Sequence, residues 1–581
     1  MASAAVRHGS AAIPEVAGIM PPSSRQTLDT AVAEVGEHAG EWAALATVER
    51  IALVERLRRG VARVADRWVE LSLGAKGISP GEPTAGEEWL SGPYCVLRNL
   101  RLLQRALSDI AAVGHPRIPG RVAARSDGQV VARVFPADLW DRLLYRGFRA
   151  DVWMQNGVTV PDLTATQAVA YAQTGGGAVA LVLGAGNISS IPPLDALYKL
   201  FVEKKVVLLK MNPVNAYLGP VIAEAFRVLV ERGFLHVVYG GVAEGSYLCG
   251  HDDVDEIHIT GSDRTHDAIV FGAGEEGIRR KAERRPLLTK RITSELGNVT
   301  PLIVVPGRWS KTDLEFQGAS IATMLAHNAG FDCLTTHVIV THAGWPQREA
   351  FLAAVRRALA AVPRRHAFYP GTEQRRAAFL ALHPESERYG EGDGERPPWV
   401  LIPGLDSEKT EDVCFTTEAF CGVLAETAVA APSVPEFVDR AVAFVNENVW
   451  GTLVAGLIVL PDSRRDPEVA AAVERAVAEL RYGTIAINQW SGTAFGLGTP
   501  WGAYAGGDLF DVQSGIGFVH DTLMFSRVQK TVFRTPFRMW PTPPWFVTCR
   551  TAHVTGRRLV RFEAAPSLWR FLGVLGAAVR G

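Results

Sequence analysis

From residue 178 the chain alternates short apolar runs with segments of helical length: AVALVLG, PPLDALYKLFVEK, KVVLLK, LGPVIAEAFRVLVERG, LHVVYGG, a short helix, then EIHITGS. Runs that are apolar at every position, rather than at alternate ones, predict strands covered on both faces. Joined by crossover helices, they predict a parallel, doubly wound α/β sheet of the dinucleotide-binding type. A second α/β block follows the charged stretch EEGIRRKAERR. Its strands read as PLIVV, HVIVTH and VAGLIVL, and its helices as DLEFQGASIATMLAHNA, QREAFLAAVRRALAAV and DPEVAAAVERAVAELRYG. Residues 382 to 400 read as an exposed excursion inside it.

The flanks differ from this pattern. Residues 26 to 112 carry helical periodicity. Residues 117 to 160 hold a hairpin signal, SDGQ between RVAAR and VVARVF, and a further strand in DVWMQNGVTV. The closing SLWRFLGVLGAAVRG is an apolar amphipathic helix, expected to pack on a partner subunit or, as the alternative, to lie on a membrane surface.

With 60 Lys and Arg against 61 Asp and Glu in 581 residues, no global field draws the chain to nucleic acid, so partners are expected to be small molecules or copies of itself. The six cysteines form no CxxC and no His/Cys ligand cluster, which fits a reducing cytoplasm without a structural metal. The sequence shows neither a signal-peptide core nor an apolar run of membrane-spanning length.

Two motifs carry chemistry. LVLGAGNISS follows a strand but has Ser189 where the third glycine of GxGxxG belongs, and the next strand ends in Lys210 rather than the acid that normally holds the adenosine ribose. The ordinary dinucleotide fingerprint therefore fails. HNAGFDC sets small residues before Cys333, a thiol without a partner cysteine nearby. A structural thiol needs only an apolar hole; a reactive one needs backbone that approaches a substrate and offers it N–H groups.

Six separated stretches, in order, resemble the aldehyde dehydrogenase superfamily: GN at 186 to 187, LLK ending at Lys210, ITGS at 259 to 262, SELGN at 294 to 298, NAGFDC at 328 to 333 and EAF at 418 to 420. The resemblance implies an aldehyde-dehydrogenase-like α/β fold, with a Rossmann-like cofactor domain, an α/β catalytic domain and a small β oligomerisation arm. The expected division is a tail over 1–25, a helical part of the cofactor domain over 26–116, the arm over 117–162 and the Rossmann-like part over 163–300. The catalytic domain then takes 301–490, and a C-terminal oligomerisation segment and tail 491–581.

By the same resemblance Cys333 is the nucleophile, Asn187 the amide that stabilises the oxyanion and Glu295 the general base, with Gly297 as the point about which Glu295 moves. Lys210 contacts the adenosine ribose of NAD or NADP, Gly261 and Ser262 the pyrophosphate, Glu418 the nicotinamide ribose, and Phe420 packs by the nicotinamide. The chain departs from the family at Pro213, where an acid usually favours NAD, at Phe331 in place of Gln, and at Cys421-Gly422 in place of Gly-Pro. Asp332, beside the thiol, is expected to point away from it, since a facing carboxylate would disfavour the thiolate.

The expected reaction is oxidation of an aldehyde to a carboxylic acid through a thiohemiacetal and a thioester. Release of the acyl group to coenzyme A, or the reverse reduction of an acyl thioester, is the alternative on the same scaffold. A cysteine hydrolase would need one of His327, His337 or His342 at the thiol, and a non-catalytic scaffold would be expected to have lost the thiol, the amide or the base. The arm is expected to extend a neighbouring subunit's sheet in a homodimer or homotetramer. Trp450, Trp490 and Phe495 read chiefly as core residues, with an aromatic substrate entrance as the second reading.

Overall fold

The computed structural model describes residues 9–173 and 175–581. The smaller of its two main sheets has six strands in the order Gly515–Ile516, Arg291–Leu296, Glu256–Gly261, Val179–Leu183, Val206–Lys210, Leu235–Val238. Five are parallel and the short Gly515–Ile516 is antiparallel. The runs VALVL and VVLLK are buried almost end to end, because helices cover both faces. Strand order reverses beside Val179–Leu183: the chain first proceeds to Val206–Lys210 and Leu235–Val238, then returns to Glu256–Gly261 on the other side. A doubly wound sheet leaves a crevice at the carboxyl ends of its strands at such a reversal. Asn187 lies just beyond one of the two strands that flank it, and Ser262 just beyond the other.

The N-terminal helices pack on this sheet. The long helix Thr47–Ala75 crosses Gly219–Ala225 at Gly60, where a Cβ would stand 2.0 Å from the Ala225 carbonyl oxygen, so only glycine permits that approach.

The larger sheet has eleven strands in the order Glu387–Tyr389, Trp399–Leu405, Val423–Val429, Val338–His342, Pro301–Val304, Val454–Ile458, Thr484–Ile487, Val528–Arg534, Arg149–Met154, Val130–Phe135, Val122–Ala124. The last three are the arm. Within the chain they extend the larger sheet and place Val122–Ala124 at its edge. Val528–Arg534 pairs with Thr484–Ile487 on one side and with Arg149–Met154 on the other. This strand, KTVFR in sequence, was not among those read from periodicity, and without it the arm has no partner in its own chain.

The C-terminal segment likewise turns back onto its own molecule. Helix Ala552–Ala564 lies on the N-terminal helices, and its buried Glu563 accepts from Arg98 at 3.1 Å and Arg101 at 2.6 Å. Arg98 is also bidentate to Asp141 at 2.9 and 3.0 Å, which completes a desolvated ion cluster in which loss of one member strands the others. Residues 9–24, read as a tail, run across the groove between the two sheets. Their first two residues, Gly9–Ser10, pair in parallel with Thr417–Glu418.

Candidate active site

The loop that carries Cys333 follows helix Lys311–Ala326, which begins with a reciprocal cap between Ser310 and Asp313. Beyond Ala326 the chain takes three successive left-handed residues, Asn328 (φ 50°), Ala329 (φ 60°) and Gly330 (φ 81°). Gly330 is required twice over, since a Cβ there would also stand 2.8 Å from the carbonyl carbon of Cys421. Ala329 holds a conformation that costs an L-residue about 1–2 kcal/mol, and Asn328 braces it. The Asn328 amide donates to the carbonyls of Phe331 (2.9 Å) and Asn187 (3.2 Å), and its oxygen accepts from buried Lys76 at 2.8 Å. Lys76 in turn pairs with buried Glu88 at 2.7 Å.

This turn delivers Cys333 to Glu295. The thiol donates to Glu295 Oε1 at 3.3 Å, and Trp501 Nε1 donates to the same oxygen at 3.1 Å. Glu295 is the penultimate residue of Arg291–Leu296 and is buried. Burial pushes its pKa up to about 8, against the opposing effect of the two donors. Burial also pushes the Cys333 thiol well above its ordinary value, with Glu295 and Asp332 adding to the rise. The resting pair is thus a protonated thiol hydrogen-bonded to a carboxyl group of near-neutral pKa.

Asn187 donates one amide N–H to the Phe331 carbonyl at 3.0 Å, which fixes it beside the thiol loop and leaves a second amide hydrogen on the same nitrogen. Asp332 turns to His327 Nδ1 at 3.1 Å, as expected of a residue that must not face the thiol. Of the other histidines considered, His337 contacts the Val423 carbonyl at 2.9 Å and His342 that of Ala431 at 3.0 Å. Among the described residues the side-chain partner of the Cys333 sulfur is a carboxylate, not an imidazole.

Cys333 and Glu295 line two cavities at once. One, of about 850 Å³, is walled by apolar and aromatic side chains that include Tyr94, Ile188, Trp490, Phe495 and Trp545. Trp490 and Phe495 line this cavity, while Trp490 is also buried in the core and Phe495 packs against it; Trp450 is buried in the core and does not line this cavity. The other, of about 990 Å³, is lined by Gly186, Asn187, Gly261, Ser262, Glu418 and Phe420, together with Ser10 to Ile13.

On this second side, Glu418 accepts from the Asn298 N–H at 3.2 Å and from the Ser10 hydroxyl at 3.1 Å, and burial pushes its pKa up to about 8. A Cβ on Gly297 would stand 2.0 Å from Glu418 Oε2, so this glycine makes room for Glu418. Ser262 caps helix Asp263–Phe271 through the Thr265 N–H at 3.2 Å. Phe420 is left-handed (φ 45°), and Arg375 donates to its carbonyl at 3.1 Å. Burial lowers Lys210 to about 8, while Glu244 and Glu15 pull it back up.

Three comparisons bear on this arrangement. Residues 194–374 match the aldehyde dehydrogenase family. The chain is 28% identical over 317 residues to 4-trimethylaminobutyraldehyde dehydrogenase of Rattus norvegicus, an alignment that takes in 50% of this chain and 56% of the rat protein. The match thus spans little more than half of that relative. An NAD-dependent aldehyde dehydrogenase from Sinorhizobium meliloti superposes with TM-score 0.58 at 18% identity, over 90% of this chain and 89% of that one. A Mycobacterium tuberculosis aldehyde dehydrogenase complexed with NAD+ superposes with TM-score 0.59 at 18% identity, over 90% and 92%.

The fold is that of the aldehyde dehydrogenases.

On the aldehyde dehydrogenase fold, the residues singled out by resemblance gather around one groove. Cys333, Glu295, Asn187, Glu418, Phe420, Gly261 and Ser262 all line it. Lys210 does not line this cavity; it is buried, with Glu244 and Glu15 as its charged neighbours. Trp501, Asn328, Lys76 and Ser10 escaped sequence reasoning. Only Asn328 carried a local signal, as an Asn before Ala-Gly is a natural left-handed residue.

Behind Glu295, buried Asp195 contacts His520 Nε2 at 2.8 Å and Thr260 Oγ1 at 2.8 Å, with His258 Nε2 at 3.6 Å. Despite its burial, the two histidines hold Asp195 far below the usual carboxylate range. Elsewhere, ligand atoms of His383, Asp412 and Cys414 come within 4.8 Å of one another, a grouping that their separation in sequence conceals. Both nitrogens of that imidazole already meet carboxylates, Glu385 at 3.1 Å and Asp412 at 3.2 Å.

Proposed function

We propose that the chain oxidises an apolar aldehyde to the carboxylic acid with NAD or NADP, using Cys333 as nucleophile. The observation that carries this reading is the position of Cys333 and Glu295 at the wall of both cavities, one apolar and one polar. A reacting carbon held there touches a thiol on one side and a nucleotide groove on the other.

The polar cavity fits a dinucleotide. It lies at the reversal of strand order, and it holds a buried carboxylate, Glu418, and a capped helix start at Ser262. Glu418 and Ser262 would hold its ribose and pyrophosphate, and Lys210 its adenosine end. The bound dinucleotide supplies the hydride acceptor. Everything else falls to the chain. Glu295 takes the thiol proton as the sulfur attacks the carbonyl carbon, and the resulting oxyanion accepts from the second Asn187 N–H and the Cys333 N–H. Loss of hydride leaves a thioester at Cys333; Glu295 gives up the thiol proton to solvent, then takes a proton from the water that hydrolyses the thioester and returns it to the departing sulfur.

A series of aldehydes from short and polar to long and apolar, offered with NAD and with NADP, tests the reading by the appearance of reduced cofactor. Turnover should rise with apolar length and vanish in Cys333→Ala. Activity confined to short polar aldehydes, or undiminished in Cys333→Ala, overturns it. Carrying out the reaction with and without coenzyme A separates hydrolysis from acyl transfer.

A second contact is favoured by the C-terminal helix Leu568–Ala578. It exposes Trp569 (82%), Leu568 (59%) and Leu572 (45%), and Leu139 (64%) is exposed on a neighbouring helix joined to it through the Trp140–Phe571 ring contact. Arg142, Arg146, Arg570 and Arg580 are exposed in the same region, and Leu568–Ala578 has no acidic residue. An apolar face rimmed by arginines suits an anionic lipid surface, whereas a second copy would set the arginines against one another. Sedimentation with phosphatidylglycerol vesicles, lost in Trp569→Ser/Leu572→Ser, supports the contact. Failure of the full chain to sediment with them overturns it. No helix among the described residues is long and apolar enough to cross a membrane.

A further inference from the structure

We propose that residues 9–15 are a tethered competitor for the dinucleotide: a strap of the chain itself that lies in the nucleotide groove and must leave before the cofactor can enter. The inference rests on the reading of that groove as a dinucleotide site and concerns what controls access to it.

The strap touches the groove at the positions a dinucleotide would need. Gly9–Ser10 adds a short parallel strand to Thr417–Glu418. The Ser10 hydroxyl donates to Glu418 Oε2 at 3.1 Å, which is what a ribose hydroxyl would do at that carboxylate. The Ser10 N–H donates to Asp263 Oδ1 at 2.9 Å, in the first turn of the helix capped by Ser262, and Arg264 donates to the Ser10 carbonyl at 2.8 Å. Ser10 therefore bridges the predicted ribose and pyrophosphate contacts, and it is almost fully buried between them.

The segment then continues toward the adenosine end. Pro14 lies against Gly371, where an added Cβ would meet it at 2.4 Å. The Glu15 carboxylate accepts from the Val242 N–H at 3.0 Å, at the start of helix Val242–Gly250. Gly18 closes on Pro213, three residues beyond the strand that ends in Lys210. A helix start with free N–H groups attracts anions, and here a carboxylate of the chain itself takes that place. Strap and dinucleotide thus need the same acceptor, Glu418, and the same strip of groove beside the helix that starts at Ser262, so they cannot occupy it together.

Because the competitor is covalently attached, dilution does not remove it. The cofactor affinity of the full chain is lowered by the fraction of molecules in which the strap is out. Gly9 offers a way to loosen it without replacing a residue that lines the groove. Its φ of 148° disfavours a side chain, and a Cβ there would stand 2.4 Å from Asp263 Oδ2.

The test titrates NAD and NADP into the full chain, into full-length Gly9→Val and into a chain lacking residues 2–12, with unfolding temperatures to confirm that each is folded. The proposal expects the dissociation constant to fall at least tenfold in both altered chains. It also expects deuterium uptake over residues 9–15 of the unaltered chain to rise when cofactor is added. Equal affinity in all three chains, or protection of residues 9–15 by cofactor, overturns the strap and leaves the dinucleotide reading standing. Absence of binding in all three removes the dinucleotide reading, and the strap with it.

Discussion

The thiol of Cys333 donates to Glu295 Oε1 across 3.3 Å, and Trp501 holds that same oxygen from the other side at 3.1 Å. Burial raises the thiol well above its ordinary value and lifts the carboxyl group to about 8, so in the proposed reaction proton transfer from sulfur to Glu295 would generate the nucleophile. One carboxylate is thus placed to act twice, first on the thiol and then on water.

The pH dependence follows directly. Glu295 must be ionised to accept a proton, so the burst of reduced cofactor should quicken as pH rises through about 8 and level off above it. Trp501→Phe removes a donor that favours the ionised form, and the rising limb should move to higher pH by roughly one unit, as expected for loss of one hydrogen bond to a charged acceptor. Stopped-flow bursts across pH check both. A limb that does not move in Trp501→Phe removes the tryptophan from the account.

Stability should move in the opposite sense. Glu295 and Glu418 are both raised to about 8, well above the ordinary carboxylate value. Over the interval from about 4.3 to 8 the folded chain holds protons that the unfolded chain has released, so this contribution is complete below that interval and is lost as pH climbs through it. The unfolding temperature should therefore fall between pH 5 and 8.5, and the slope should flatten in Glu295→Gln/Glu418→Gln. A slope unchanged in the double variant counts against the raised values.

Ala329 stands left-handed between Asn328 and Gly330. Ala329→Gly removes the Cβ penalty at the cost of some chain entropy, and should stabilise the protein by about 0.5–1 kcal/mol, measured by denaturant unfolding. The greater freedom of the thiol loop should at the same time slow the burst.

Much of this could be read in the chain. The apolar runs VALVL and VVLL point to a covered parallel sheet, because a strand buried on both faces has little room for polar side chains. Cys333, Glu295, Asn187 and Glu418 were legible through short motifs whose neighbours are set by backbone shape. What escaped depends on contacts between residues hundreds of positions apart. Trp501 meets Glu295 only after Gly515–Ile516 has joined the edge of the smaller sheet. The arm found its place through Val528–Arg534, a strand with polar residues in its first half. Ser10 sits in a stretch rich in Ala and Pro that looks like a tail, and nothing local tells that it crosses a groove. Gly297 is required by the Glu418 carboxylate 2.0 Å from where a Cβ would be, a contact that its own stretch of sequence does not show.

The most direct measurement is mass analysis of the Cys333 peptide after the chain is mixed with an apolar aldehyde and NAD, in the unaltered protein and in Glu295→Gln. Without the base, acylation slows but hydrolysis slows further, since water is a far weaker nucleophile than sulfur. The account predicts that Glu295→Gln accumulates one acyl group per chain on Cys333, matched by one equivalent of reduced cofactor, and then stops. Sustained turnover in Glu295→Gln, or reduced cofactor formed with no acyl group on Cys333 at any time, would contradict it.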